Sequence, residues 1–223
     1  MSAMPALRGV TPAVSRVRSG VTIEAISRPA RTFTGDFYFT QRHDQRLWIA
    51  LGDVAGKGLP AAIVMAMIQE ELEHRIASCA TAECDPARTA QRLHEFLEPL
   101  LPSNRFATAV IGWLDDDGTL TIVNAGHPPP LIVRRDGSID EIGSTGPILG
   151  VLPHPRWCSR TLRLERGDTL VLYSDGVTEA IVEGEELGVC GLRTLLARST
   201  SPATVLESLA AEDDVTIVVA RRE

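Results

Sequence analysis

The sequence predicts an α+β fold in which antiparallel strand pairs form the framework and helices are set apart from them. Two observations carry this. Apolar runs of strand length come in pairs joined by short polar or glycine turns, at 37–41 with 47–51, 106–114 with 119–124, and 131–133 with 139–142, which is the pattern of hairpins. Helical periodicity is confined to a few longer blocks, at 59–78, from Pro86 to about Leu100, at 187–197 and at 202–211. With 223 residues, 44% of them hydrophobic, the chain is long enough for one substantial core, and one large domain is expected.

Residues 21–27 alternate apolar and polar and read as a strand. The strands 37–41 and 47–51 flank the polar turn 42–46. Gly56 and Gly58 precede a helix over 59–78, in which Pro60 suits the first turn. Its first half is apolar on all sides, and charge appears from Glu70 onward, so it is expected to start buried and end exposed. Asp85 followed by Pro86 is a cap and an N1 proline, opening a helix with Ala90, Leu93, Leu97 and Leu100 on one face. Leu162 and Leu164 begin a further strand pair, turning at Gly167-Asp168 into a strand over 169–173. The last strand is expected over 215–220. Residues 1–20 hold three arginines and no acid, but Pro5, Gly9 and Pro12 interrupt any amphipathic helix. They read as a loosely ordered arm rather than a leader.

The net charge of −7 gives no general pull toward nucleic acid or an anionic membrane. No apolar run approaches the length needed to span a bilayer. The cysteines, Cys79, Cys84, Cys158 and Cys190, form no CxxC pair and no zinc spacing with histidine. They are expected to be free thiols in a reducing, cytoplasmic setting.

Four segments place aspartate at the edge of an apolar strand: Gly35-Asp36-Phe37-Tyr38, Gly52-Asp53-Val54, Ser174-Asp175-Gly176 and Asp213-Asp214-Val215-Thr216. A hairpin turning near Asp44 puts Asp36 almost opposite Asp53, about 5 Å away across the pair. If the last strand runs antiparallel to 169–173, its start meets the other's end, and Asp213 and Asp214 meet Asp175. One such aspartate is ordinary turn chemistry. A set of them at one end of a sheet repels itself unless cations lie between, and hard divalent cations prefer oxygen ligands. Cations held this way suit chemistry on phosphate esters.

Two other motifs carry competing readings. Gly52-Asp-Val-Ala-Gly-Lys-Gly58 imitates a phosphate-binding P-loop and holds Lys57, the sole lysine of the chain. Its glycines are one residue too close, however, and Gly58 stands where Ser or Thr is needed, which argues against an NTPase. Asn124-Ala-Gly-His127-Pro-Pro-Pro130 reads as a rigid turn with His127 bonded locally. Its alternative is a histidine or asparagine that contacts the substrate or donates a proton.

In order along the chain, Thr34-Gly-Asp-Phe-Tyr38, Gly52-Asp-Val-Ala-Gly-Lys-Gly-Leu-Pro-Ala-Ala62, Val123-Asn-Ala-Gly-His-Pro-Pro-Pro130, Gly146-Pro-Ile-Leu-Gly150, Tyr173-Ser-Asp-Gly-Val-Thr-Glu-Ala180 and Asp213-Asp-Val-Thr216 resemble the SpoIIE/RsbU group of bacterial PPM-type (protein phosphatase 2C-like) serine/threonine phosphatases. The resemblance implies an αββα sandwich over 21–223, of two antiparallel sheets with helices outside. It implies two Mn²⁺ or Mg²⁺ ions. Asp53 would bridge both, Asp36 and the carbonyl of Val54 would hold one, and Asp175 with the Asp213–Asp214 pair would hold the other. Within that pair Asp213 aligns better with the ligand. The implied reaction is hydrolysis of phosphoserine or phosphothreonine by a metal-activated water, on a phosphorylated protein such as an anti-anti-sigma factor.

The chain departs from the family pattern at Thr34, at Phe39 (a frequent carboxylate), in the short segment 197–213, and at Ala55, where eukaryotic relatives place a histidine acid. Phe39 and the short segment motivate a second expectation, a catalytically impaired regulatory binding module on the same fold. With no sensor domain legible, control is expected from a separate regulatory partner, from expression, or from the helix after Gly58.

Overall fold

A computed structural model describes residues 13–17, 20–30, 32–78, 84–102 and 105–223. In chain order the strands are β1 (Ala13–Val17), β2 (Val21–Arg28), β3 (Asp36–His43), β4 (Arg46–Val54), β5 (Ala107–Asp115), β6 (Thr119–Ala125), β7 (Leu131–Val133), β8 (Ile139–Glu141), β9 (Arg160–Arg163), β10 (Thr169–Tyr173), β11 (Ile181–Val182), β12 (Glu185–Glu186) and β13 (Val215–Arg222). The helices are α1 (Leu59–Ala77), α2 (Pro86–Leu97), α3 (Asp175–Thr178), α4 (Gly188–Arg198) and α5 (Pro202–Glu207). One sheet has the order β1-β2-β13-β10-β7-β8, the other β3-β4-β5-β6-β9, and β11-β12 is a separate ribbon. Every strand pairing is antiparallel.

Alternation along the strands sorts the apolar side chains into three layers. Leu47, Ile49 and Leu51 of β4 and Val110 and Leu114 of β5 meet Ile23, Leu170, Leu172 and Val218 between the sheets. The intervening Trp48, Ala50, Ile111 and Trp113 face Ile68, Leu72, Leu93 and Leu97 of α1 and α2. On the far side, Val171, Tyr173, Ile217 and Val219 pack on Val177, Leu192, Leu196, Val205 and Leu206 of α3, α4 and α5. The result is the expected αββα sandwich. Trp48 and Trp113 meet edge to face at 4.9 Å between centroids, and the Arg46 guanidinium covers the Trp113 ring at 4.2 Å. No helix among the described residues is long and apolar enough to cross a membrane.

Several expectations are corrected. Within the expected arm over 1–20, Ala13–Val17 pairs with β2 as an edge strand, because Gly20 at φ 74 turns the chain back along the open main chain of Val21–Ala25. Residues 1–12, 18 and 19 lie outside the described residues. The segment around Leu162 pairs with β6 in one sheet while β10 belongs to the other, so the turn at Gly167-Asp168 crosses between layers instead of closing a hairpin. Helix α1 keeps one buried stripe along its whole length (Ala61, Ala62, Met65, Ile68, Leu72, Ile76), and its first turns expose Leu59 and Ile63 at just over half their surface. An all-apolar start did not mean a buried start, because only one face of α1 meets the sheet. Helix α2 ends at Leu97, leaving Leu100 exposed beyond it. Cys84 is disulfide-bonded, not a free thiol, whereas Cys158 and Cys190 are free.

Candidate metal centre

At one end of the sandwich the β3–β4 pair of one sheet and the β10–β13 pair of the other finish beside each other. The tight turn at Asp44–Gln45, with Asp44 at φ 53, sets a register in which Asp36 pairs with Asp53. In the other sheet Tyr173 pairs with Ile217, and the Ser174 N–H donates to the Thr216 carbonyl at 2.9 Å. The next residues outward on the two chains are Asp175, at the start of α3, and the Asp213–Asp214 pair. Asp36, Asp53, Asp175, Asp213 and Asp214 line one open cleft of about 190 Å³, together with Ala30, Phe33, Gly56 and Lys57. The structure thus brings together all five aspartates singled out in the sequence. Val54 is the sixth residue of that set. Its side chain is buried, and its carbonyl lies beside Gly35, where an added Cβ would come within 2.8 Å of it and 2.7 Å of Asp53 Oδ1.

Each carboxylate is held differently. Asp36 is only 4% exposed, and its Oδ2 accepts a 2.6 Å hydrogen bond from the Thr216 hydroxyl. Burial raises its pKa well above the ordinary range, the Thr216 hydroxyl opposes this, and the Asp53 charge adds to it. Asp53 is pushed up to about 7, by burial first and then by Asp175, Asp214 and Asp213. Its charge also acts on Asp36, beside it in the same sheet. Asp175 is raised by burial; the Gly176 N–H donates to its carboxylate at 2.9 Å and lowers its pKa, while the Asp213 charge raises it. Asp214 accepts from the backbone N–H groups of Ala30 at 2.8 Å and Gly35 at 3.1 Å, tying the last loop to the start of β3. Asp213 accepts from the Asp214 N–H at 2.9 Å and forms an ion pair with Lys57 Nζ at 2.8 Å.

Part of the site was not read from the sequence. Thr216 and Ser27 form a hydroxyl chain behind Asp36, with their oxygens 3.0 Å apart. The signal was available, since Thr216 is a polar residue in an otherwise aliphatic strand. Glu179, one turn beyond Asp175, has its pKa raised chiefly by the Asp175 charge and so borders the same field. Thr34 supplies a hydroxyl that accepts from the Asp36 N–H at 3.0 Å. Phe39 lies on the opposite face of β3 from Asp36 and packs into the layer beneath α1, so a missing outer carboxylate at that position is not a defect of the cleft. Lys57 pairs with Asp213 rather than heading a phosphate-cradling loop. His127 does not line the cleft. It is buried, with Nδ1 2.8 Å from the Thr108 hydroxyl and Nε2 3.1 Å from the Tyr173 carbonyl oxygen.

The donor set fits hard divalent cations. It consists of carboxylate oxygens with a neighbouring backbone carbonyl, several of them desolvated and mutually repelling. Among the described residues no group of three or more histidine, cysteine, aspartate or glutamate side chains closes into a ready-made cage. Gly176 sets the approach of the two strand ends, since a Cβ there would overlap the Asp214 carbonyl oxygen. Gly176→Ala is expected to cost about 2 kcal/mol of stability and to weaken Mn²⁺ binding, as read by thermal unfolding and calorimetry.

Residues 43–223 match the family model of stage II sporulation protein E (SpoIIE). The phosphoserine phosphatase RsbU of Bacillus subtilis (strain 168) is 29% identical over 215 residues, covering 90% of this chain and 63% of that protein. Among solved structures, the RsbU and RsbW domains of Rv1364c from Mycobacterium tuberculosis align with a TM-score of 0.79 at 28% identity, over 92% of this chain and 62% of that one. RsbX in complex with magnesium aligns with a TM-score of 0.75 at 19% identity, over 96% of this chain and 100% of that one, a likeness of fold. The chain thus spans 63% of RsbU and 62% of the Rv1364c chain. With most of its length inside the family match, the chain belongs to the SpoIIE family.

Proposed function

We propose that this chain is a cytoplasmic, metal-dependent protein phosphatase that hydrolyses phosphoserine or phosphothreonine in a partner protein of the anti-anti-sigma-factor type. The observation that carries the reading is the meeting of five aspartates from two sheets in one open cleft. Asp36, Asp53 and the Val54 carbonyl would hold one Mn²⁺ or Mg²⁺ ion, and Asp53, Asp175 and Asp213 the other. Asp214, already bonded to two backbone N–H groups, would position the loop. Two such ions supply a water activated near neutral pH and positive charge for the phosphoryl oxygens.

The chain's own residues do the rest. Thr216 orients Asp36, Gly176 lets the Asp175 and Asp214 backbones close up, and Lys57 is the one basic side chain lining the cleft among the described residues. His127 is bonded at both ring nitrogens and buried, with its pKa lowered to about 3 by burial, so the leaving group takes its proton from water. The name of RsbU and the magnesium in the RsbX structure support this reading for their relative here. A separate regulatory partner would supply control.

The test is phosphate release from a phosphoserine protein in Mn²⁺ or Mg²⁺. Absence of activity in both metals, with wild type no better than Asp53→Ala, would sink the reading. Calorimetry separates it from an impaired binding module, which would bind its partner tightly but no ions. Lys57→Ala is expected to raise KM for a phosphopeptide about fivefold, the value of one exposed ion pair of ~1 kcal/mol, with a smaller change in kcat.

A further inference from the structure

We propose that His127 is a positioning residue that sets the separation between the two halves of the metal centre, an inference that rests on the two-cation reading above. The five-stranded sheet carries Asp36 and Asp53, and the six-stranded sheet leads into Asp175 and Asp213. A centre split in this way needs the two sheets held at a constant spacing at this end. The apolar layer between them fixes their distance only through many soft contacts. The Thr216–Asp36 and Gly35–Asp214 bonds cross between the sheets through the cleft aspartates themselves, whereas His127 provides a directed link that uses no cleft side chain.

On one side its Nδ1 lies 2.8 Å from the hydroxyl of Thr108, the residue of β5 paired with Asp53. On the other its Nε2 lies 3.1 Å from the carbonyl oxygen of Tyr173, the last residue of β10, two positions before Asp175. A carbonyl only accepts, so Nε2 carries the proton, and Nδ1 accepts from the Thr108 hydroxyl. The ring therefore donates to one sheet and accepts from the other, and neither bond can reverse. Its backbone is fixed in turn: the His127 N–H donates to Asn124 Oδ1 at 2.8 Å, and Asn124 Nδ2 donates to the His127 carbonyl at 3.1 Å and the Ile142 carbonyl at 3.3 Å. Asn124 is wholly buried and His127 is 5% exposed, so water does not compete for these bonds. The chain Asp53–Thr108–His127–Tyr173–Asp175 joins one aspartate-bearing strand end to the other through the interior, and its three middle residues do not line the cleft.

Two amide variants separate the two bonds. Glutamine reaches the place of Nε2 and keeps a donor for the Tyr173 carbonyl. Asparagine reaches only the place of Nδ1 and leaves that carbonyl unpaired. Mn²⁺ titrations of the full chain by calorimetry are compared with thermal unfolding of the metal-free forms. Each variant breaks one half of the link, His127→Gln at Thr108 and His127→Asn at Tyr173, so each is expected to lose about tenfold in affinity for one of the two ions, the usual scale for an outer residue that orients ligands. Both lose one buried hydrogen bond and are expected to fall equally in Tm.

Wild-type Mn²⁺ affinity in both variants, despite the lower Tm, would overturn the proposal and leave His127 a structural residue. If His127→Asn does not fold, the opposite end of the link decides. Thr108→Val is expected to lose about tenfold in affinity while Thr108→Ser, which keeps the hydroxyl, binds as wild type; parallel behaviour of these two overturns the proposal. A wild-type chain that binds no Mn²⁺ overturns the two-cation reading and this inference with it. A wild type that binds two ions with unaffected variants overturns this inference alone.

Discussion

Asp53→Asn is expected to abolish metal-dependent phosphatase activity while making the metal-free protein more stable. Asp53 is the carboxylate coupled to both halves of the cleft, with its pKa raised to about 7 by burial, Asp175, Asp214 and Asp213. Its charge is worth having only when cations occupy the space between the strands. Without it, both proposed ions would lose their shared ligand, and a loss of at least about 10³ in kcat/KM is expected, corresponding to ~4 kcal/mol of transition-state stabilisation. In the metal-free protein the same substitution removes a desolvated negative charge facing three others. At pH 8 that relief is worth a few kcal/mol, and in a chain of this size each kcal/mol moves Tm by about 2–4 °C, so a rise of roughly 5–10 °C is expected. The two effects have opposite signs and are read separately, by phosphate release in Mn²⁺ and by thermal unfolding in chelator. A fall in metal-free Tm would mean that Asp53 holds the fold together, and would remove the reason for assigning it to metal.

Much of this geometry was legible because it is local or follows from strand parity. The tight turn at Asp44–Gln45 forces Asp36 against Asp53. The antiparallel pairing of β10 with β13 forces Asp175 against Asp213 and Asp214, since it makes one strand's end meet the other's start. What escaped the sequence is what depends on layer. An apolar alternation reports that a face is buried, not which sheet it belongs to, so the sequence pattern points β9 to its chain neighbour, whereas it pairs with β6. The same limit hid the exposed start of α1, where Leu59 and Ile63 look like core. It also hid the polar links that cross between sheets. Thr216 reaches Asp36 across 180 positions of sequence and His127 reaches Tyr173 across 46. Hydroxyl and imidazole groups at such distances carry no periodic signal: Thr216 stands out only as a polar residue in an aliphatic strand, and His127 only as a histidine in the turn after β6.

In the presence of Mn²⁺ the stability of the chain is expected to rise between pH 6.5 and 8.5, and in chelator to fall over the same interval. The sign follows from which state binds protons more tightly. Asp53 titrates near 7 when folded against an ordinary value of 3.8, and Asp36 and Asp175 are displaced in the same direction. The folded protein therefore holds these protons more strongly, and their contribution declines as pH rises from the ordinary value through the folded pKa; for Asp53 it totals about 4 kcal/mol at ~1.4 kcal/mol per pH unit, of which roughly 1 kcal/mol falls above pH 6.5. His127 opposes this. Its pKa is lowered to about 3 from 6.5, so the unfolded chain takes up that proton first and stability gains with pH between about 3 and 6.5. His94 is displaced the same way. Below pH 6.5 the two groups largely offset each other. Above it the histidines are neutral in both states and only the carboxylates still titrate, so the metal-free curve turns down. Bound Mn²⁺ reverses the slope, because protons and metal compete for the same oxygens and metal stabilises the fold by RT ln(1 + [L]/Kd). Thermal unfolding with and without millimolar Mn²⁺ at several pH values therefore gives diverging curves. Asp53→Asn, which removes the group with the pKa near 7, is expected to flatten the metal-free curve above pH 6.5. Parallel wild-type curves with and without metal would show that the cleft carboxylates do not bind the ion, whatever their spacing.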